Sequence, residues 1–250
     1  MEVKNLNKFY GSKQVVENVS FELPKNKVIS FIGPNGAGKS TVLNIMTRLI
    51  SSDSGQVLLE NKDLKKWNSK ELAKKIAILT QTNHITAKLT VAELVAFGRF
   101  PYSGSNLNKE DRKHINMAIE YMELQDFKNR FIDELSGGQR QRVFIAMVLA
   151  QDTEYIFLDE PTNNLDIYHS SNMMKLVRRL CDDLNKTVTL VLHEINFASA
   201  YSDYIGAFKN GKLYKFDTVH EVMTKDNLKS LYNVNFDITD FNGKPISIYY

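Results

Sequence analysis

The segment at residues 33–40, Gly-Pro-Asn-Gly-Ala-Gly-Lys-Ser, joins a predicted strand to a predicted helix. The strand is the apolar run at residues 28–32, and apolar residues recur after the segment at helical spacing, at Val42, Ile45, Met46 and Leu49. In such a loop, backbone N–H groups and the helix N-terminus form a nest of positive partial charge that suits phosphate oxygens. A glycine turn that merely precedes a helix is the plainer alternative, but every fixed position of the pattern G-x-x-x-x-G-K-S/T is filled. The sequence therefore predicts a nucleotide phosphate site, with Lys39 on the phosphates and Ser40 on Mg²⁺.

Composition and charge exclude several other classes of protein. The 250 residues are 43% apolar and 24% charged, as in ordinary globular proteins. The net charge of +3 is small and spread along the chain, so it gives no argument for a nucleic acid partner. Cys181 stands alone, which excludes an intrachain disulfide and a cysteine metal cluster. No apolar run is long enough to span a bilayer, and the first residues lack the apolar core of a signal peptide. We therefore expect any work at a membrane to be done through a partner protein.

The pattern of apolar residues predicts an α/β protein with three sections. Residues 1–81 are expected to hold an antiparallel β subdomain and the phosphate-loop part of a mostly parallel core. Residues 82–151 are expected to form a helical subdomain. Residues 152–250 should complete the core and end with strands and a helix, the helix over about residues 219–232 and a final strand near residues 246–250.

Two predicted core strands end in side chains that carry chemistry. The strand at residues 155–158 ends in Asp159 and Glu160, which point to opposite sides of the strand, so that one can face a metal and the other water. The strand at residues 188–192 ends in His193. Taken alone, the acids could be solvated loop residues and the histidine structural. Because carboxyl ends of parallel strands share one edge of a sheet, the set together indicates a catalytic edge.

A second helix N-terminus follows the small-residue turn at residues 135–139, Leu-Ser-Gly-Gly-Gln. A capped helix after a glycine turn explains this segment equally well, since Ser-Gly-Gly is common. Tyr10, near the end of the first predicted strand, is ambiguous in the same way, because half-buried packing is the ordinary role of such a ring.

The order and spacing of these motifs resemble those of an ATP-binding cassette (ABC) ATPase over essentially the whole chain. The segments that match are residues 33–41, Gln81 after a strand, residues 135–139, residues 155–160, residues 164–166 and His193. The resemblance implies a single ABC ATPase domain over residues 1–250. Its implied fold is the P-loop ABC ATPase fold, with a RecA-like mostly parallel core sheet, an antiparallel β subdomain and a helical subdomain.

The resemblance also implies a role for each site residue in the hydrolysis of ATP. Tyr10 would stack on the adenine, which replaces the packing role above. The phosphates would be bound by Gly33, Pro34, Asn35, Gly36, Ala37, Gly38, Lys39, Ser40 and Thr41. The Mg²⁺ ligands would be Ser40, Gln81 and Asp159. The catalytic set would comprise Gln81, Glu160 as general base and His193 on the γ-phosphate.

In this family two subunits close on two ATP molecules, so the resemblance implies a homodimer. The signature residues would contact the ATP of the opposite subunit, and they are Ser136, Gly137, Gly138 and Gln139. Asp166 would be the D-loop residue.

Within the family, residues 89–102 are similar to a segment of the ATPase subunits of bacterial iron-siderophore importers, and less so to those for haem and cobalamin. This likeness implies that the chain energises uptake of a ferric siderophore. Its partners would be a transmembrane permease, which docks near Gln81 and residues 97–102, and indirectly an extracellular binding protein. The location would be peripheral, at the cytoplasmic face of the cell membrane. Glu194, where the pattern usually has Asp, and Thr80 depart from this subgroup.

Other functions of the same family stay open. An importer for haem, cobalamin or a metal ion such as zinc or manganese is the main alternative. ABC ATPases that act on DNA usually carry a long coiled coil between the phosphate loop and the signature turn. In this chain the interval from Lys39 to Ser136 has no heptad run. Ribosomal members join two cassettes, whereas this chain has one. A regulatory module without turnover is disfavoured by the presence of Glu160 and His193.

Overall fold

The computed structural model describes residues 1–81, 85 and 87–249. They form two compact units, one of Met1–Trp67 with Val177–Tyr250 and one of Asn68–Leu176. The expected boundary at residue 82 lies outside the described residues, and the expected division into three sections stays a prediction.

The strands are β1 (Glu2–Tyr10), β2 (Lys13–Glu22), β3 (Val28–Ile32), β4 (Ser54–Leu59), β5 (Lys62–Asp63), β6 (Ile76–Leu79), β7 (Tyr155–Asp159), β8 (Thr187–Val191), β9 (Tyr204–Lys209), β10 (Lys212–Thr218), β11 (Phe236–Phe241) and β12 (Lys244–Tyr249). The α-helices are α1 (Lys39–Met46), α2 (Ser69–Leu72), α3 (Val91–Ala96), α4 (Phe100–Ser103), α5 (Lys109–Tyr121), α6 (Gly137–Ala150), α7 (Ile167–Asp182), α8 (Ile195–Tyr201), α9 (Val219–Val222) and α10 (Lys225–Tyr232). Short 3₁₀ helices lie at Leu64–Lys66, Phe97–Arg99, Gln125–Phe127 and Ile132–Glu134.

The first unit contains the expected antiparallel sheet, with strand order β2-β1-β4-β5. Val3 of β1 lies opposite Phe21 on one side and Val57 on the other, and all three side chains are buried. These three side chains thus form part of the covered face of the sheet, as expected for an antiparallel sheet with one face on the core.

The first unit also contains parallel strands that carry the phosphate loop. β3 pairs in parallel with β8 and β9, and β9 continues antiparallel to β10. Every residue of β3 and β8 is buried, because parallel strands are covered on both faces. Phe31 of β3 lies opposite Val191 of β8, so the loop after β3 and His193 after β8 leave the sheet at the same edge.

The end of the chain differs from the expected helix and final strand. The helix over residues 219–232 is two helices, α9 and α10, because the Thr224 hydroxyl accepts from Asn227 N and begins a new helix. The final strand, β12, is half of a hairpin with β11, joined at Asn242 and Gly243, which both have positive φ. An Asn-Gly pair between strands is the sequence signal for that turn.

The second unit combines the parallel pair β6–β7 with helices α3, α5 and α6. α3, α5 and α6 each begin with a capping box, built by Thr90 with Glu93, Asn108 with Asp111, and Ser136 with Gln139. These caps satisfy N–H groups that a helix leaves unpaired at its start. In the part of the chain that the structure describes, no helix has the length and apolar character needed to cross a bilayer.

Candidate functional site

The loop at residues 33–40 wraps closely against its neighbours in the first unit. Gly33 has φ +142°, and a Cβ atom there would lie 2.1 Å from the carbonyl oxygen of Phe208. Gly38 has φ +96°, and a Cβ there would lie 2.7 Å from the carbonyl oxygen of Val15. Both positions therefore require glycine, for backbone conformation and for space. The loop is a built cradle and not merely a turn before a helix.

Lys39, the first residue of α1, supplies the positive charge of this cradle. Its side chain is buried, and Nζ donates to the carbonyl oxygens of Gly33 at 2.7 Å and Pro34 at 3.0 Å. A buried ammonium group at the start of an eight-residue helix makes a strong anion site, because the helix dipole adds to the charge. The loop thus fits the phosphates of a nucleotide.

Tyr10 lies at the end of β1 with its ring largely in solvent. The side chain is 54% exposed, and Lys8 Nζ lies 5.7 Å from the ring centroid. A core packing role does not fit that exposure, whereas a stacking platform for a flat ligand does.

In the second unit, the end of β7 carries two acids in different surroundings. Asp159 is buried, and Glu160 has φ +52°, a left-handed conformation that costs free energy for a non-glycine residue. One oxygen of Glu160, Oε2, accepts from Gln81 Nε2 at 2.7 Å and from Asn163 Nδ2 at 3.2 Å. The strained backbone and the two amide donors hold this carboxylate in one orientation.

The turn at residues 135–139 begins α6 with reciprocal hydrogen bonds. Gln139 N donates to Ser136 Oγ at 3.3 Å, and Ser136 N donates to Gln139 Oε1 at 3.0 Å. The plainer interpretation of this segment, a capped helix, is therefore correct as a description of the isolated chain. It does not exclude a ligand on the same turn.

Asp166, just before α7, is bonded to a residue of that helix. Its Oδ1 accepts from His169 N at 2.7 Å, and His169 Nδ1 lies 2.8 Å from the same oxygen. The hydrogen bond from the backbone N–H of His169, followed by that from its ring, lowers the pKa of Asp166. Asp166 thus stays ionised at neutral pH.

Comparison with known proteins shows the family to which this chain belongs. The family model for the ABC transporter domain matches residues 16–163. The petrobactin import ATP-binding protein YclP of Bacillus subtilis (strain 168) is 51% identical over 100% of this chain and 99% of its own length. The petrobactin import ATP-binding protein FatE of Bacillus anthracis is 46% identical, over 100% of both chains. The chain belongs to the ABC transporter family. It is an ATP-binding ATPase cassette of that family.

A solved ABC cassette supports the fold. The dimeric structure of MJ0796, a bacterial ABC transporter cassette, is 32% identical to this chain, with a TM-score of 0.77 over 87% of this chain and 97% of its own. The expected ABC ATPase fold and family are confirmed.

The predicted site residues of this ABC cassette are distributed over both units. Tyr10, residues 33–41 and His193 belong to the first unit. The others belong to the second unit, and they are Gln81, Ser136, Gly137, Gly138, Gln139, Asp159, Glu160 and Asp166. Within the second unit, the side-chain amide of Gln81 donates a hydrogen bond directly to the Glu160 carboxylate.

Two residues that the sequence pattern did not select are bonded to predicted site residues. Asn163 donates to Glu160, and His169 holds Asp166. Each lies three residues after its partner. An i,i+3 spacing, as in a turn, is therefore the sequence signal that could have identified these two residues. An Asn in a loop and a His in a helix carry no chemistry by themselves, which is why the pattern alone did not select them.

The predicted Mg²⁺ ligands fit a metal that also binds phosphate and water. Ser40, Gln81 and Asp159 offer hydroxyl, amide and carboxylate oxygens, the hard donors that Mg²⁺ prefers. Within residues 1–81, 85 and 87–249, no group of three or more His, Cys, Asp or Glu side chains could hold a metal. A set with one acid agrees with that finding, because Mg²⁺ in ATPases takes further ligands from the substrate.

The segment at residues 97–102, expected to lie near the docked permease, contains one residue that is not available to a partner. Arg99 is 3% exposed. Its Nε bonds Asp111 at 2.9 Å, Nη1 donates to Ala150 O at 2.9 Å, and the guanidinium lies 3.8 Å from the Tyr102 ring centroid. Arg99 therefore holds the segment together and offers nothing to a partner. The side chains left at the surface there are Phe97 and Phe100, 54% and 62% exposed.

Proposed function

We propose that this ABC ATPase powers the uptake of a ferric siderophore, as one of two ATPase subunits on a separate transmembrane permease. The observation that carries the proposal is the Glu160 carboxylate at the end of β7, held by the amides of Gln81 and Asn163. A carboxylate fixed in this way is suited to accept a proton from an attacking water. The cargo class is taken from relatives that match the full length of the chain.

The remaining residues contribute positioning and charge. Lys39 exchanges its bonds to the Gly33 and Pro34 carbonyls for phosphate oxygens, and the loop N–H groups bind the same phosphates. Glu160 accepts the proton of the attacking water, and His193 contacts the terminal phosphate. Positioning and neutralisation of charge are most of what phosphoryl transfer requires.

By the family pattern, Ser40, Gln81 and Asp159 would hold Mg²⁺. When bound, the metal neutralises phosphate charge and orients the phosphate oxygens. The buried Asp159 carboxylate is the charged member of this set.

Hydrolysis is proposed to require two copies of the chain. Ser136 and Gly138 of one copy would contact the ATP of the other, which makes a two-fold dimer. A relative in this family has been solved as a dimer. Closing on ATP and opening after hydrolysis would drive the permease through its contact with Phe97 and Phe100.

The proposed cargo is a ferric siderophore of the petrobactin type, because YclP and FatE are petrobactin import proteins. The chain would sit at the cytoplasmic face of the membrane, held there by the permease. An extracellular binding protein would deliver the cargo. Haem, cobalamin and a metal ion are the competing cargoes.

The test is uptake of labelled cargo in a host lacking this gene. The host is grown under iron limitation and given ferric petrobactin, a ferric hydroxamate, haem or cobalamin, one at a time. We expect loss of ferric petrobactin uptake alone. Wild-type protein should restore it and Glu160→Gln should not.

The matched control is Glu120→Gln, the same acid-to-amide change on the exposed face of α5, which should restore uptake fully. Loss of haem or cobalamin uptake in place of siderophore uptake would refute the proposed cargo. Full uptake of every cargo in the deleted host would refute a required role of this chain in the uptake of these cargoes, and only the ABC ATPase assignment would stand.

A further inference from the structure

Gly138 of the signature turn lies against an imidazole ring. The residue is buried, although its neighbour Gly137 has open space where a Cβ would go. A Cβ on Gly138 would lie 2.5 Å from His169 Cδ2, and the three atoms nearest that position all belong to the His169 ring. The ring of His169 is thus what covers this glycine.

The same ring is bonded to Asp166 on its other edge. His169 Nδ1 lies 2.8 Å from Asp166 Oδ1, and a carboxylate can only accept, so Nδ1 carries the hydrogen. The backbone N–H of His169 donates to the same oxygen at 2.7 Å. The Tyr168 ring meets the imidazole edge to face, with centroids 5.3 Å apart. The bond to Asp166 and the contact with Gly138 thus define the orientation of the imidazole.

We propose that His169 is a positioning residue that fixes the signature turn relative to Asp166. The hydrogen bonds between Ser136 and Gln139 hold the turn itself but do not connect it to Asp166. The His169 ring makes that connection, in van der Waals contact with Gly138 and hydrogen bonded to Asp166. Both motifs would then meet a second subunit as one rigid surface.

This inference rests on the proposed function, because the signature turn and Asp166 matter together only if a second copy closes on ATP. The first measurement therefore separates the two. Glu160→Gln protein is mixed with ATP and its mass is measured by light scattering. A dimer is expected; a monomer would overturn the sandwich mechanism and this proposal with it.

The second measurement changes His169 in that background. His169→Ala removes both the hydrogen bond and the covering atoms, and His169→Leu keeps the bulk without the donor. His169→Asn keeps an N–H near the Nδ1 position and a heavy atom near Cδ2. We expect His169→Ala to weaken dimer formation by on the order of tenfold to hundredfold. Of the two other variants, His169→Asn should form the dimer more tightly than His169→Leu. ATP affinity of the monomer should not change.

The order of variants distinguishes positioning from helix stability. Leu favours helices more than Asn, so a role only in stabilising α7 would rank Leu above Asn. The proposal would be overturned if His169→Leu formed the dimer more tightly than His169→Asn. It would also be overturned if His169→Ala left the dimer affinity unchanged. His220→Ala, an exposed histidine on α9, is the matched control and should behave as the parent.

A stability cycle tests the contact without ATP. Gly138→Ala should lower Tm by about 2–4 °C when His169 is present, because the added methyl pushes against the ring. The same change should cost less in His169→Ala protein. Equal Tm shifts in the two backgrounds would show that the ring does not cover Gly138.

Discussion

At the scale of single residues, the proposed chemistry depends on a few side chains with unusual surroundings. Glu160 is held in a left-handed backbone conformation with two amides on one oxygen. Lys39 is buried, with its ammonium group on loop carbonyls. Tyr10, by contrast, exposes an aromatic ring. Each arrangement costs stability, which is typical of residues kept for function.

The first residue-scale prediction concerns Asn163. Asn163→Ala removes one of the amide donors to Glu160, so the carboxylate loses orientation. We expect kcat for ATP to fall about tenfold, the equivalent of about 1.4 kcal/mol, with ATP affinity unchanged. Steady-state turnover and nucleotide binding measure both quantities. Thr162→Ala in the same loop is the control, and a wild-type kcat for Asn163→Ala would disprove the role.

The second concerns Tyr10. Tyr10→Ala should weaken ATP binding about tenfold, since stacking of a base on an aromatic ring is worth about 1–3 kcal/mol. Tyr10→Trp should keep the affinity. The control is Phe9→Ala, because neighbouring residues of a strand face opposite sides. If Tyr10→Ala binds ATP, GTP and CTP as the parent does, the ring does not contact the base.

At the scale of elements, close packing positions the segment at residues 97–102. Gly98 lets this segment approach α6, because a Cβ there would lie 2.2 Å from the carbonyl oxygen of Met147. Arg99 ties it to α5 through Asp111 and to α6 through Ala150. The segment is therefore rigid on its inner side and presents two aromatic side chains on its outer side.

The third prediction concerns this buried ion pair. Arg99→Ala leaves the Asp111 carboxylate buried without its partner, so the free energy of unfolding should fall by about 3–5 kcal/mol. Urea denaturation measures the change. Arg112 lies on the exposed face of α5, the helix that carries Asp111. Arg112→Ala should therefore stay within about 0.5 kcal/mol of wild type. Equal stabilities of the two variants would contradict the role of the pair.

The same pair predicts how stability changes in acid. Burial acts to raise the pKa of Asp111, but hydrogen bonds from Ser103, Asn108 and Arg99 outweigh it and lower the pKa. Because the folded pKa lies below the unfolded one, Asp111 stabilises the fold above about pH 4 and loses this effect as the pH falls further. Asp111→Asn should therefore be less stable than wild type at pH 7, with the difference shrinking in acid.

The fourth prediction separates docking from catalysis. Phe97→Ala with Phe100→Ala should reduce cargo uptake strongly and leave the ATPase rate of the isolated chain unchanged, because both rings face solvent. Phe241→Ala, an equally exposed ring on β11, is the control and should transport normally. Normal uptake by the double variant would place the permease elsewhere.

At the scale of the whole molecule, the site residues lie in two compact units of one cassette. The phosphate loop and His193 belong to one unit, and the signature turn, Asp166 and Glu160 belong to the other. The proposed cycle requires a second copy to complete each ATP site, so activity belongs to the dimer.

The fifth prediction follows from that requirement. The ATPase rate per chain should rise with protein concentration and level off once dimers dominate, because a single copy cannot turn over. A rate per chain that is constant across dilution into the nanomolar range would show that one copy suffices.

The sequence by itself determined the α/β class, the phosphate loop and the ends of the core strands. Those features are local: only glycine can occupy positions such as Gly33 and Gly38, and buried strands need continuous apolar runs. The Asn242-Gly243 turn was also present as a local signal, although the strand before it was missed.

The tertiary structure alone decided which side chains meet. Arg99 is buried against Asp111, and Gln81 meets Glu160 across a long interval of sequence. His169 covers Gly138, although the sequence pattern did not select it. Such contacts depend on how helices and strands pack. The periodicity of apolar residues shows which face of an element is buried but not which element packs against it.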